Sequence, residues 1–176
     1  MSLQLYGWRD LKMAVTGAAS GPAAPTPTAF GVTGNIKQSK FALNDSVYLV
    51  GHIDHDVRIG STQYMHVHWT TDGTNAQPVR WQLSYIAAKG HDQEAFGSDT
   101  ILTLTQNPGS VAWQHMIIED AVGIPIYEPD TLVIIELKRI ANGGTDNTDA
   151  VYGLFVDLHY QCQQLGSRNR TPNFYT

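Results

Sequence analysis

"STQYMHVHWTTDG", Ser61 to Gly73, switches between apolar and polar side chains at every step from Met65 to Trp69. A period of two is the mark of a β-strand with one covered face. Met65, Val67 and Trp69 share the side that reads as core, and Tyr64, His66 and His68 share the other. The same reading extends outward along the chain. "SVYLVGHID" (Ser46 to Asp54) is rich in β-branched and aromatic residues. "PVRWQLSYIAA" (Pro78 to Ala88) sets Trp81, Leu83 and Tyr85 on one face and Arg80, Gln82 and Ser84 on the other. "DTILTLTQ" and "SVAWQHMIIE" follow as further strands. "DTLVIIELKRI" (Asp130 to Ile140) carries Leu132, Ile134 and Glu136 on one side and Val133, Ile135 and Leu137 on the other. "AVYGLFVDLHYQCQQL" closes the series, with Leu154, Val156, Leu158 and Tyr160 facing one way.

The breaks "TTDGTNAQP", "QNPGS" and "NGGTDNTD" are turn chemistry. Only "GHDQEAFGSDT" offers anything helix-like. Roughly eight strands with no helices between them require antiparallel pairing. The predicted fold is all-β: an antiparallel two-sheet β-sandwich, jelly-roll-like, with an extended N-terminal arm.

The 176 residues fit one domain with an appendage, and 42% hydrophobic residues suffice for a core. Charged residues make up only 15%, below the usual quarter, which suits a surface that packs against neighbours. A formal charge of -5 and scattered basic residues argue against a nucleic-acid partner. No apolar stretch has the length of a membrane span, so no membrane partner is expected. The first residues lack a basic start followed by an apolar run, and the chain is expected to be made in a cytoplasm. Cys162 is the only cysteine and is expected to be a small buried side chain.

"TGAASGPAAPTPTAFG" (Thr16 to Gly31) has no charge and little bulk, and its prolines keep it extended. Ahead of it, Leu3, Leu5, Tyr6, Trp8, Leu11 and Val15 form a short apolar plug on this leash. The plug is a disordered terminus, or it docks on the domain or on a neighbouring subunit. The expected division is an arm over residues 1–34, a sandwich over 35–165 and a tail over 166–176. The tail lacks strand alternation; it is loose, or it anchors to a neighbour with Arg168 and Arg170 meeting acidic groups. Expected interaction residues are therefore Leu5, Tyr6, Trp8, Leu11, Arg168, Arg170, Phe174 and Tyr175.

Two imidazoles on one strand face have the spacing for chelation. Asp157 and His159 offer a similar pair, and His52, Asp54, His55 and Asp56 cluster in "GHIDHDVRIG". Gly60, five residues, His66 and His68, then Asp72 and Gly73 are similar to the first half of the cupin motif. That resemblance implies a metal enzyme with the ion inside an open barrel, held by His66, His68 and His115 or His159. The sequence departs from the second half, since "NPGSVAWQH" has the wrong spacing. The preferred reading is that His66 and His68 line a polar wall through hydrogen bonds, with no metal and no cofactor. No Gly-rich phosphate loop or nucleophile elbow is present. A carbohydrate platform would need Trp8, Trp69, Trp81 and Trp113 exposed, yet Trp69 and Trp81 alternate in phase with core residues.

A second resemblance covers more of the chain. His55, Gly60, Ser61, His66, Val67, His68 and Trp69 form a block resembling one in a family of tailed-bacteriophage virion proteins. The strand with Trp81, Leu83 and Tyr85 follows, and the closing strand carries Leu154, Asp157, His159, Tyr160, Leu165, Gly166, Ser167 and Arg168. The resemblance implies a non-enzymatic structural protein of a phage virion that assembles as a symmetric trimer or dimer. A capsid decoration (cement) protein bound to the major capsid protein is the leading expectation. A neck, collar or fibre-base component is the alternative.

Overall fold

The computed structural model describes residues 6–126 and 128–163. Eleven strands follow one another: β1 (Tyr6–Ala14), β2 (Ala19–Ser20), β3 (Thr26–Phe30), β4 (Ile36–Phe41), β5 (Ser46–His52), β6 (Tyr64–Thr71), β7 (Val79–Lys89), β8 (Thr100–Gln106), β9 (Met116–Glu119), β10 (Thr131–Ile140) and β11 (Val151–Gln163). No helix occurs among the described residues. The helix-like stretch after Lys89 is a turn and a loop, with Gln93 in the left-handed region at φ 52°. It has no apolar face to dock, so nothing stabilises a helix there.

One sheet runs β3-β4-β11-β6-β9, with β1 also paired to β11; the other runs β2-β5-β10-β7-β8. Every pairing is antiparallel. The eight strands β4 to β11 fill the two sheets as β4-β11-β6-β9 and β5-β10-β7-β8, changing sheet at every step except the β7–β8 hairpin, which is the strand order of a jelly roll. The predicted all-β sandwich is the observed fold.

Its interior follows the alternation. Met65, Val67 and Trp69 are fully buried, and Trp81, Leu83, Ile135 and Leu137 meet them from the opposite sheet. Phe41 packs edge-on against Trp81 with ring centres 5.2 Å apart. On β11 the alternation breaks once. The pairing with β6 shifts between Gly153 and Phe155, so Leu154 is extruded by a bulge while Val156, Leu158 and Tyr160 face inward.

Of the alternatives left open for the arm, docking on its own domain is the one observed. From Tyr6 onward its residues belong to the sandwich. β1 pairs with β11 from Tyr6 opposite Gln163 to Ala14 opposite Phe155. β4 covers the same edge of β11 only from Val151 to Gly153, so without β1 the rest of that edge would be bare. Met13 and Val15 are buried, and Leu11 and Met13 lie where a side chain on Gly51 of β5 would stand. The leash also enters the sheets, as β2 beside β5 and as β3 at the outer edge beyond β4. Pro27 is tolerated in β3 because an edge strand leaves one row of amides unused. Leu5 and the predicted tail residues Arg168, Arg170, Phe174 and Tyr175 lie outside the described residues.

Beneath β1, Tyr160 donates to Asp56 at 2.8 Å, and Asp56 also meets Arg9 at 2.5 Å. Burial, then the bond to Asp56 and its charge, push the Tyr160 phenol well above its ordinary pKa. Below the ordinary tyrosine value, about 10, folded and unfolded chains both hold the proton and stability is full. Above it the unfolded chain releases the proton while the folded chain keeps it, so stability falls. Thermal unfolding midpoints measured from neutral pH upward should therefore drop past about pH 10, and less steeply in Tyr160→Phe.

Candidate functional site

All seven histidines fall into two clusters. The first lies on the outer face of the β1-containing sheet. Because Met65, Val67 and Trp69 point inward, their neighbours His66 and His68 point outward. The register places Asp157 of β11 opposite His66, and Glu119 of β9 on its other side. His66 Nδ1 lies 3.2 Å from Asp157 Oδ1, and His68 Nε2 lies 3.2 Å from Asp157 Oδ2. The remaining nitrogens face away: His66 Nε2 meets Glu119 Oε2 at 2.6 Å, and His68 Nδ1 meets His115 Nε2 at 2.8 Å. Asp157 is 1% exposed. Burial, then the charge of His68, lower the His115 pKa below its ordinary value.

Aromatic rings brace this wall. Trp8, His159 and His66 stack in a row across β1, β11 and β6, at 4.7 Å and 5.0 Å between ring centres. His68 lies flat on Phe155 at 3.8 Å. His159 is held by Asp10 at 2.6 Å and acts as a spacer in the stack. The third group that converges with His66 and His68 is therefore Asp157, in place of His159 or His115. The pair opens away from the interior of the roll, which Met65, Val67 and Trp69 fill, so the cupin-like arrangement is not formed.

The second cluster surrounds Asp130, just before β10. His52 and His55 reach Oδ1 at 3.3 Å and 3.0 Å, and His91 reaches Oδ2 at 2.7 Å. The histidines of "GHIDHDVRIG" thus turn to Asp130, whereas Asp56 serves Tyr160 and Arg9. No local spacing links Asp130 and His91 to that motif; the pairing of β5, β10 and β7 brings them together.

The outer face of the other sheet is apolar at its centre. Val50, Ile134 and Ile86 stand side by side across β5, β10 and β7. Tyr48 and Ile101 flank them in the next row, around Glu136 and Ser84. Val50 is 61% exposed and Ile101 58%. Tyr48, Ser84, Ile86, Ile134, Glu136 and Asp99 line a depression of about 210 Å³ there. Of the interaction residues expected near the N-terminus, Tyr6 is exposed beneath the Arg58 guanidinium at 4.1 Å, Trp8 is half exposed in the ring stack, and Leu11 packs on the core. Trp69 and Trp81 are fully buried and Trp113 packs against Phe30 and Tyr152, so the four tryptophans form no shared platform.

No protein-family model and no curated protein matches this sequence. Solved structures do share its shape. The insecticidal delta-endotoxin Cry8Ea1 of Bacillus thuringiensis aligns with a TM-score of 0.50 at 12% identity, over 84% of this chain but only 23% of the toxin. The CBM36-1 domain of a multidomain xylanase from the hindgut metagenome of Trinervitermes trinervoides gives 0.45 at 12% identity, over 86% of this chain and 96% of the domain. A structure of infectious bursal disease virus Gx strain gives 0.43 at 12% identity, over 89% of this chain and 32% of that one. At such identities the likeness is one of fold.

Proposed function

We propose that the protein is a non-enzymatic structural protein of a tailed-bacteriophage particle, of the capsid decoration or cement kind, and that it works by adhesion. The observation that carries this reading is the outward apolar row Val50, Ile134 and Ile86, with Val50 exposed and the two isoleucines half-buried beside it. An antiparallel sheet with one solvated face is normally polar on that face. Here each of the three central strands carries one β-branched apolar residue in register on the face turned away from the core, between polar neighbours such as Ser84 and Glu136. A patch of this kind marks an interaction site. The occupant is a second copy of the chain. Glu136 and Lys138 lie on the same outward face of β10, and opposite charges on one patch make it self-complementary across a symmetry axis. The low charge content and the resemblance in the His66–Trp69 block and the closing strand support placing this self-assembly in a virion.

The test is solution mass by light scattering, with co-sedimentation on capsids lacking the protein. A dimer or trimer that saturates such capsids is the expected result. Val50→Lys with Ile134→Lys should be monomeric at an unchanged unfolding midpoint. Each buried Val or Ile contributes about 1.5–3 kcal/mol, so association should weaken by well over tenfold. Self-association without capsid binding would move the action to the neck, collar or fibre base. A monomer that leaves capsids unbound would overturn the reading.

A further inference from the structure

We propose that His66, His68 and Asp157 bind one zinc ion, a structural tie between β6 and β11 on the outer face of the roll. Ligands about 2.1 Å from one ion and 90–110° apart are separated by about 3.0–3.4 Å. Both imidazoles stand 3.2 Å from the Asp157 carboxylate, each toward a different oxygen. One ligand atom from each of the three residues can be chosen so that all lie within 4.8 Å of one another.

Two further observations point to an ion. Asp157 Oδ1 and His68 Nε2 are buried, and although His66 Nδ1 and Asp157 Oδ2 respectively stand 3.2 Å away, neither contact has the direction of a hydrogen bond. A buried charge left in that state is costly. Lys12, opposite Asp157 on β1, does not ion-pair with it and instead lies 5.8 Å over the Phe155 ring. A dication balances the carboxylate and takes up the free lone pair of the His68 ring at once. The outer nitrogens complete the pattern. Glu119 on His66 and His115 on His68 occupy the ring positions turned away from the ion, which fixes the rings as outer partners do in zinc sites. Two imidazoles and a carboxylate suit zinc among the divalent metals.

The experiment uses untagged protein stripped with a chelator and dialysed, then titrated with zinc alone. Metal analysis should return one zinc per chain after dialysis. At a hundredfold excess over the dissociation constant the unfolding midpoint should rise on the order of 5 °C. Asp157→Asn and His68→Gln should lose both effects. Glu119→Gln, altered at the exposed outer partner, should bind roughly ten- to a hundredfold more weakly. Cobalt(II) substitution gives an independent optical readout of the same site. Failure of the parent protein to retain zinc, or an Asp157→Asn variant that retains it as well as the parent, overturns the proposal. If Asp157→Asn does not fold, unchanged zinc affinity in Glu119→Gln overturns it instead. Self-association does not enter these measurements, so the zinc site stands or falls apart from the adhesive function.

Discussion

Deletion of residues 1–14 is expected to abolish the soluble folded state, and Met13→Ala alone should cost about 2–4 kcal/mol. β1 closes two gaps together. It supplies hydrogen-bond partners to β11 from Phe155 to Gln163, an edge that β4 leaves after Gly153. It also drops Leu11 and Met13 onto Gly51 of the opposite sheet, sealing the side of the sandwich. Without β1, a long strand rich in apolar residues becomes an open template for other chains. A domain of this size holds about 5–15 kcal/mol in total, so the lost core contacts and the lost ladder together exceed what it can spare. The soluble fraction on expression tests the deletion, and denaturant unfolding tests the point variant. A truncated chain that stays soluble with an unchanged midpoint would show β1 to be a passive strap.

Why this role was hidden in "YGWRDLKMA" is physical. The face that carries buried Met13 also carries Gly7, Leu11 and an Arg9 that stays exposed at the rim, so the first half carries no apolar alternation. Arg9 belongs there because Asp56 waits for it, and nothing local announces that. The strand exists because an edge more than 140 residues later needs a partner. Where both faces declare themselves in the residues, as in Met65 to Trp69 or Trp81 to Tyr85, the sequence alone sufficed to place the core. Leu154 failed because a bulge resets the phase without any glycine or proline beyond Gly153 to announce it.

The site was half legible for a similar reason. That His66 and His68 share an outward face follows from the period of a strand. Which groups they meet depends on register. Asp157 and His159 lie on the same face of β11, and strand period alone does not rank them; pairing Asp157 with His66 decides it and leaves His159 opposite Tyr64. A two-residue slip would have exchanged them. The apolar outer face of the other sheet left a trace, since β10 is apolar on both sides. Whether that second side is covered is a property of the assembled sheets and cannot be read from one strand.

Replacing Arg139 with leucine should cost about 3–5 kcal/mol, as much as emptying a core position. Arg139 continues the inward row of Val133, Ile135 and Leu137, so its guanidinium is carried under the surface at the end of β10. There Nη1 donates to the Phe41 carbonyl at 2.8 Å and Nη2 to the Asn147 carbonyl at 2.9 Å. Asn147 in turn donates to the carbonyls of Asn75 and Gln77, so one cation joins β4, the loop after β6 and the loop before β11. Burial lowers the Arg139 pKa, and the charges of Asp146 and Asp45 work against that fall. A group with arginine's high ordinary value keeps its proton throughout. Leucine supplies bulk but leaves two buried carbonyls unpaired. Lysine keeps the charge but lacks the fork that reaches both, so Arg139→Lys should fall between the parent and Arg139→Leu. Lys138→Ala, one residue away on the outer face, should change stability by no more than about 0.5 kcal/mol. Urea unfolding of the three variants separates these outcomes, and equal midpoints for Arg139→Leu and Lys138→Ala would mean that water replaces the guanidinium at no cost.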